Sequence, residues 1–116
     1  MQNTMMGYLY RDGANRQLWN KCIIRGVLTE EQQKRILSYR VWGKLFIPHN
    51  VGLPEKTFTT MGYAHDPFDD TPWFELYETS FAVTDKEPTV EITPEELVKK
   101  FEEAHPEWEK LVVWRH

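Results

Sequence analysis

The chain has 116 residues and a formal net charge of −4, and 14% of its residues are aromatic, which excludes a disordered chain. This length suits one domain that buries its own core, and the single cysteine excludes an internal disulfide and favours a reducing, cytoplasmic setting. The sequence also lacks an apolar run of the roughly 20 residues that a transmembrane helix needs, and its start lacks the pattern of a signal peptide, so no membrane association is expected.

The first predicted elements are two strands joined by a turn. In MGYLYRD, Met6, Tyr8 and Tyr10 share one side of a pattern with period two, which is typical of a strand. DGAN, residues 12–15, has turn chemistry because Gly and Asn tolerate positive φ. QLWNKCIIRG alternates again, so we predict an antiparallel hairpin.

A helix is predicted next, from about residue 30 to residue 40. Thr29 is a suitable N-cap residue, and Gln32 completes a capping box three positions later. Glu30 and Glu31 lie in the first turn, where the helix dipole favours negative charge.

The middle of the chain is predicted to hold short strands and loops. A short strand from Lys44 to Ile47 precedes a loop that is rich in proline and glycine. Residues 55–72 have weak periodicity and are interpreted as an irregular excursion, with one further strand around Thr57–Met61. The strongest strand pattern in the chain is WFELYETSFAV, residues 73–83, because its side chains alternate throughout.

The last predicted element is a second helix. Thr93 caps it, Pro94 occupies the first helical position and Glu96 completes another capping box. Its expected buried stripe has helical spacing and consists of Leu97, Val98, Phe101 and Ala104. Pro106 is predicted to break or bend this helix, since the residue before a proline is pushed away from α geometry.

These elements predict one α+β domain over residues 1–116. The sequence contains no repeat, no low-complexity segment and no linker. We expect a small antiparallel sheet, made of the N-terminal hairpin and two or three further strands, packed with two helices.

The charges are unevenly distributed along the chain. Residues 1–56 contain nine Lys or Arg against four Asp or Glu, whereas residues 57–109 contain three against fourteen. Such asymmetry can shape the choice of partner. The alternative is that the basic half folds onto the acidic half and the two largely neutralise each other.

The stretch HDPFDDTPWFELYE, residues 65–78, concentrates acidic residues. Asp66, Asp69 and Asp70 match no calcium loop because no glycine stands among them, and zinc sites use more Cys and His than this stretch offers. We interpret it as a loop whose aspartates bond to its own amides, with a partner-binding loop and a metal site as alternatives. No metal and no cofactor is expected.

No catalytic residue is assigned from the sequence. Cys22 stands in the middle of a strand beside Ile23 and is expected in the core. His105 is expected to have a surface or capping role. Asp69 and Asp70 would need a substrate cleft to act as a glycosidase pair. A small enzyme is therefore the third of three functional hypotheses.

The leading hypothesis is a non-catalytic protein-binding module. A face rich in carboxylates can imitate a phosphate backbone and occupy a basic groove on another protein. The candidate contact residues are acidic and lie on the second helix and in the loop of residues 66–70: Glu95, Glu102, Glu103, Asp66, Asp69 and Asp70. The alternative is a solvated helix face with pairs such as Glu95 and Lys99.

The second hypothesis is a nucleic-acid-binding module that uses the hairpin and the first helix. Basic residues are interleaved there with aromatic residues, a combination that can follow a backbone and stack bases. The cations are Arg11, Arg16, Lys21, Arg25, Lys34, Arg35, Arg40 and Lys44, and the aromatic residues are Tyr8, Tyr10, Trp19 and Trp42. A pI near 5.6 and the absence of a known motif argue against it.

Five strings along the chain, YRDGANRQLW, GVLTEEQ, FIPHNVGLP, TPWFELYE and ITPEELVKKFEE, resemble in this order a group of small bacterial proteins with no assigned activity. Some of these proteins are encoded on plasmids and prophages. The resemblance covers most of the chain and implies a compact α+β domain in a bacterial cytoplasm, with a mobile-element setting. Some small acidic proteins from such elements inhibit host defence complexes, anti-CRISPR proteins among them. The resemblance implies no catalytic residues.

Overall fold

A computed structural model describes residues 2–58, 60–62 and 71–113. Within these residues lie five strands and two α-helices, which confirms the predicted α+β fold with one small antiparallel sheet. The strands are β1 (Asn3–Arg11), β2 (Gln17–Ile24), β3 (Leu45–Phe46), β4 (Phe74–Glu75) and β5 (Phe81–Thr84). The helices are α1 (Glu30–Ser38) and α2 (Pro94–Val113), and short 3₁₀ turns span Pro48–Val51 and Glu78–Ser80.

Strand β1 is the centre of the sheet. It pairs with β2 along one edge, in the register that places Met6 opposite Cys22, so the predicted hairpin is confirmed. The other edge of β1 pairs with β5 near its start and with β4 near its end, and β4 in turn pairs with β3. All four pairings are antiparallel.

The prediction of one continuous strand over residues 73–83 is wrong. Glu75 of β4 pairs with Leu9, and Phe81 of β5 pairs with Met6. Residues 76–80 therefore lie opposite only two residues of β1, Gly7 and Tyr8. Five residues cannot pair with two in a regular ladder, so the chain leaves the sheet as a 3₁₀ turn and returns.

The additional strand predicted around Thr57–Met61 is also not formed. Met61 N donates to the carbonyl oxygens of Thr57 and Phe58, both at 3.2 Å, so the described residues of this stretch form a turn. The Thr57 and Thr60 hydroxyl groups bond to backbone amides inside the same turn and satisfy them locally.

Both helix starts agree with the sequence. Thr29 Oγ1 accepts from Gln32 N at 3.1 Å while Gln32 Oε1 accepts from Thr29 N at 2.9 Å, which is the predicted capping box. Thr93 and Glu96 make the equivalent contacts at the start of α2. Helix α1 is two residues shorter than predicted, because it ends at Ser38.

Of the break or bend predicted at Pro106, the break is wrong, since α2 continues through it to Val113. Trp108 follows the proline and is fully buried, and its Nε1 donates to Asn50 Oδ1 at 2.9 Å. His105 Nδ1 also lies 2.8 Å from the carbonyl oxygen of Tyr39, just after α1. These contacts hold the helix against the domain on both sides of the proline, so tertiary packing prevails over local preference.

The core lies between one face of the sheet and the two helices. Its centre is a group of aromatic side chains that come from four elements and touch one another edge-on or stacked: Tyr8, Phe46, Phe74, Phe101 and Trp108. The predicted stripe of α2 contributes to it, with Leu97 and Phe101 fully buried. Cys22 is 1% exposed, which confirms its predicted core position. Neither of the two described helices has the length and apolarity that crossing a bilayer requires.

Candidate functional site

The second face of the sheet is open along part of its length, since Leu9 and Ile23 are buried on it and the residues between them are more accessible. Even-numbered residues of β1, such as Met6 and Tyr8, point into the core, so Met5 and Gly7 point the other way. On the neighbouring strand β2 the same face carries Trp19, which is 60% exposed, and Lys21, which is also exposed. A tryptophan this exposed on a sheet is unusual for a side chain that packing alone would place.

A groove of about 870 Å³ lies along this face and continues past the outer edge of β2. Met5 and Gly7 form its floor, and Trp19 and Lys21 lie on one side. The other side is the excursion between β4 and β5, so three of the five residues that leave the ladder, Tyr77, Thr79 and Ser80, also shape the groove. Gly7 keeps the floor low, because it has no side chain to fill the space.

A buried carboxylate anchors this excursion at one end. Glu75 is 5% exposed, and Arg11 Nε donates to its Oε2 at 2.7 Å. The hydroxyl of Tyr77 donates to its Oε1. Burial alone would raise the pKa of Glu75, but the hydrogen bonds from Arg11 and Tyr77 hold that pKa below its usual value. Both carboxylate oxygens are occupied, so Glu75 is suited to hold the excursion in place and not to accept a proton.

The Glu75 network makes a pH-dependent contribution to stability. Because its folded pKa lies below the ordinary 4.5, the contribution is fully present above that pH and is lost as pH falls through the folded value. We expect Glu75→Gln to lower the free energy of unfolding by about 1 kcal/mol at pH 7 and to reduce its loss on acidification. Urea titrations at pH 7 and at pH 3 measure both.

Glu87→Gln is the matched control for that substitution, because Glu87 is an exposed carboxylate with no ion pair among the described residues. It should leave the pH dependence of the wild type in place. An equal difference between wild type and Glu75→Gln at both pH values would contradict the assignment.

The predicted acidic contact residues are only partly available. Glu95 and Glu103 are exposed on α2. Glu102 is exposed too, but its Oε2 lies 3.1 Å from Arg35 Nη2 and 3.1 Å from the hydroxyl of Tyr39. The carboxylate of Glu102 therefore links α2 to Arg35 of α1 and to Tyr39 just after α1, within the domain. Asp66, Asp69 and Asp70 lie outside the described residues.

The basic surface predicted for nucleic acid is largely neutralised. All five arginines in the described part of the chain make ion pairs with carboxylates: Arg11 with Glu75, Arg16 with Asp12, Arg25 with Glu91, Arg35 with Glu102 and Arg40 with Glu78. Four of these pairs join the basic half of the chain to the acidic half, as the neutralisation alternative expects. Tyr8 and Tyr10 are fully buried and cannot stack on bases, whereas Trp19 and Trp42 are exposed.

The nucleophile and acid–base candidates are enclosed or paired. Burial raises the pKa of the Cys22 thiol to about 11, and burial also raises the pKa of Tyr8 beside it. His105 Nε2 pairs with Glu109, and His49 Nδ1 lies 2.8 Å from Glu55 Oε2. Across residues 2–58, 60–62 and 71–113, no group of three or more His, Cys, Asp or Glu side chains could hold a metal ion.

The sequence signalled part of this site without locating it. Trp19 and Lys21 both belong to the nucleic-acid hypothesis, but their place on an accessible face follows only from which side the helices cover. Gly7 inside a strand is a recognised sign of a close approach. Tyr77 and Ser80 line the groove because they lie in the excursion between β4 and β5. The alternating pattern of residues 73–83 predicts a continuous strand there and gives no sign of the excursion.

No family model, no curated protein and no solved structure matches this chain.

Proposed function

We propose that this chain is a non-catalytic protein-binding domain, and that the groove on the open face of the sheet is its principal contact surface. The observation that carries the proposal is the exposed Trp19 on an uncovered sheet face, beside a groove of about 870 Å³. Tryptophan is enriched among the residues that dominate binding energy, and an antiparallel sheet of a monomer does not need an aromatic side chain on its solvent face.

The acidic face of α2, with Glu95 and Glu103, is the alternative contact surface for the same function. It is less favoured because Glu102 between them is engaged by Arg35. A role as an inhibitor or adaptor encoded by a mobile element extends the proposal and rests on the sequence resemblance alone.

Single-stranded nucleic acid is the second candidate function. Lys21 and Lys56 line the same groove beside Trp19, a combination of cation and aromatic ring that suits a stacked base. Against it stands the pairing of the arginines, which leaves few cations to follow a phosphate backbone.

The test is an affinity capture from bacterial lysate, treated with nuclease and read by mass spectrometry. Four baits are compared: wild type, Trp19→Ala, Gly7→Val and the double variant Glu95→Lys, Glu103→Lys. Gly7→Val fills the groove floor and is expected to fold, because a Cβ at Gly7 meets its nearest atoms at 3.8 and 4.0 Å and valine suits a strand.

We expect proteins that the wild type and the double variant enrich, and that Trp19→Ala and Gly7→Val lose. Loss with the double variant instead would move the contact surface to α2. Enrichment that nuclease abolishes would overturn the protein-binding function in favour of nucleic acid, and absence of any specific enrichment would overturn it outright. Thermal unfolding of each bait shows that the comparison is made between folded proteins.

A further inference from the structure

Strand β2 has a free edge beside the groove. One edge of β2 pairs with β1, and among the described residues the outer edge is occupied only at its end. There Thr89 N and Val90 N donate to Ile23 O at 2.9 and 3.2 Å, and Thr89 Oγ1 accepts from Ile23 N at 2.8 Å. Backbone groups alternate in direction along a strand, so those of Lys21 and Trp19 point to the same side as those of Ile23. The described residues contribute no backbone partner to either.

The segment of this chain around Lys56 is held beside this edge without pairing with it. Lys56 N donates to Asn20 Oδ1 at 2.6 Å, and Asn20 Nδ2 donates to Lys56 O at 3.1 Å. The side chain of Asn20 thus takes up the polar groups of Lys56 and leaves the outer backbone of β2 open. This contact also fixes Lys56 at the groove.

The groove is positive although the chain as a whole is negative. The described residues that line it include Lys21 and Lys56 and no carboxylate, whereas the formal net charge of the chain is −4. Neither lysine forms an ion pair within the described part of the chain. An occupant with negative charge complements this surface.

We propose that the outer edge of β2 at Gln17–Lys21 binds an acidic peptide segment in extended conformation, which adds a strand to the sheet. This inference rests on the proposed function and specifies the mode of binding. The backbone groups of Trp19 and Lys21 bond to the added strand, and Lys21 and Lys56 pair with its carboxylates. Trp19 packs against a side chain of the added strand.

Two other occupants fit the observations less well. Nucleic acid does not form a ladder of hydrogen bonds with the open row of amide and carbonyl groups on β2, whereas the backbone of an extended peptide does. A second copy of this chain would place Trp19 and Lys21 of each β2 close to their own equivalents, without a carboxylate to balance the lysines. The five residues of Gln17–Lys21 span about 17 Å, enough to order a short peptide.

The experiment uses synthetic probes and the full chain. The probe is a capped peptide of about ten residues that alternates Glu and Thr, a length that suits one strand. Its affinity is measured by calorimetry and compared with that of a Lys–Thr peptide of equal length and of oligodeoxythymidylate. Two further peptides carry N-methyl groups, one on every Glu and the other on every Thr.

In an added edge strand only alternate amides face β2, so one methylated peptide should bind like the parent while the other loses binding. Lys21→Glu is expected to weaken the binding of the unmethylated Glu–Thr peptide by about tenfold or more. Lys99→Glu is the control with the same charge change, because Lys99 is an exposed lysine on α2. Equal binding of both methylated peptides would show attraction by charge alone and overturn strand addition. Equal or tighter binding of the Lys–Thr peptide or the oligonucleotide would overturn the acidic peptide as occupant.

No binding of the parent peptide would overturn this inference without overturning the proposed function, provided that Trp19→Ala still loses captured proteins. Sedimentation of the protein alone tests the remaining alternative, in which a second copy of the chain occupies the edge of β2. A dimer that Trp19→Ala dissociates would assign the edge to a second copy.

Discussion

Replacing Trp108 with Ala is expected to lower the free energy of unfolding by about 3–5 kcal/mol. The indole is fully buried, with its ring centroid 5.6 Å from that of Phe101 and 6.4 Å from that of Phe46. Truncation opens a large space where α2 meets the sheet. It also leaves Asn50 Oδ1 without the hydrogen bond that it accepts from Nε1 at 2.9 Å. Urea denaturation measures the loss.

Two companion variants separate the causes of that loss. Leu111→Ala removes an apolar side chain that is 44% exposed on the same helix, and it should cost less than about 1 kcal/mol. Trp108→Phe keeps an aromatic ring and loses the bond to Asn50, so an intermediate loss is expected. If Trp108→Ala lost no more than Leu111→Ala, the last two turns of α2 would not be docked on the core as described.

The parts of the fold that the sequence predicted correctly are those that local chemistry decides. Each helix start depends on a residue and its partner three positions later, Thr29 with Gln32 and Thr93 with Glu96, and both boxes formed. The hairpin turn is equally local, because Asn15 adopts φ 66° and Asp12 O accepts from Asn15 N.

The errors concern elements whose extent is set by distant residues. Alternation over residues 73–83 is compatible with one strand, but only the length of β1 that lies opposite shows that five of these residues have no place in the ladder. The end of α2 depends on contacts of Trp108 and His105 with residues more than fifty positions away. Neither fact can be read from a window of neighbouring residues.

The candidate site shows the same division. Counting charges correctly separates a basic half from an acidic half, but it cannot show that Arg35 reaches Glu102 or that Arg11 reaches Glu75. Those pairs take charge away from the two surfaces that the sequence favoured. They leave Lys21 and Lys56 as cations beside an exposed Trp19, on the one sheet face that the helices do not cover.

Pro106→Ala is expected to stabilise the protein, by about 2–2.6 kcal/mol in the free energy of unfolding. Proline in a helix interior removes one hydrogen bond and crowds the preceding turn, which costs about 3 kcal/mol relative to Ala. Part of the gain is offset, because Ala leaves the unfolded chain more freedom than Pro does, by about 0.4–1 kcal/mol. Position 106 is exposed, so the substitution disturbs no core packing.

Urea denaturation of Pro106→Ala and of Glu107→Ala, its exposed neighbour, makes the comparison on one helix turn. Glu107→Ala breaks only the exposed pair with Lys110 and should change stability by less than about 0.5 kcal/mol. The expected gain follows from the continuity of α2, since a helix that ended before residue 106 would gain nothing from a better helix former there. A loss of stability with Pro106→Ala would therefore show that the chain after residue 105 is held in a shape that the proline itself sets, and not by the burial of Trp108.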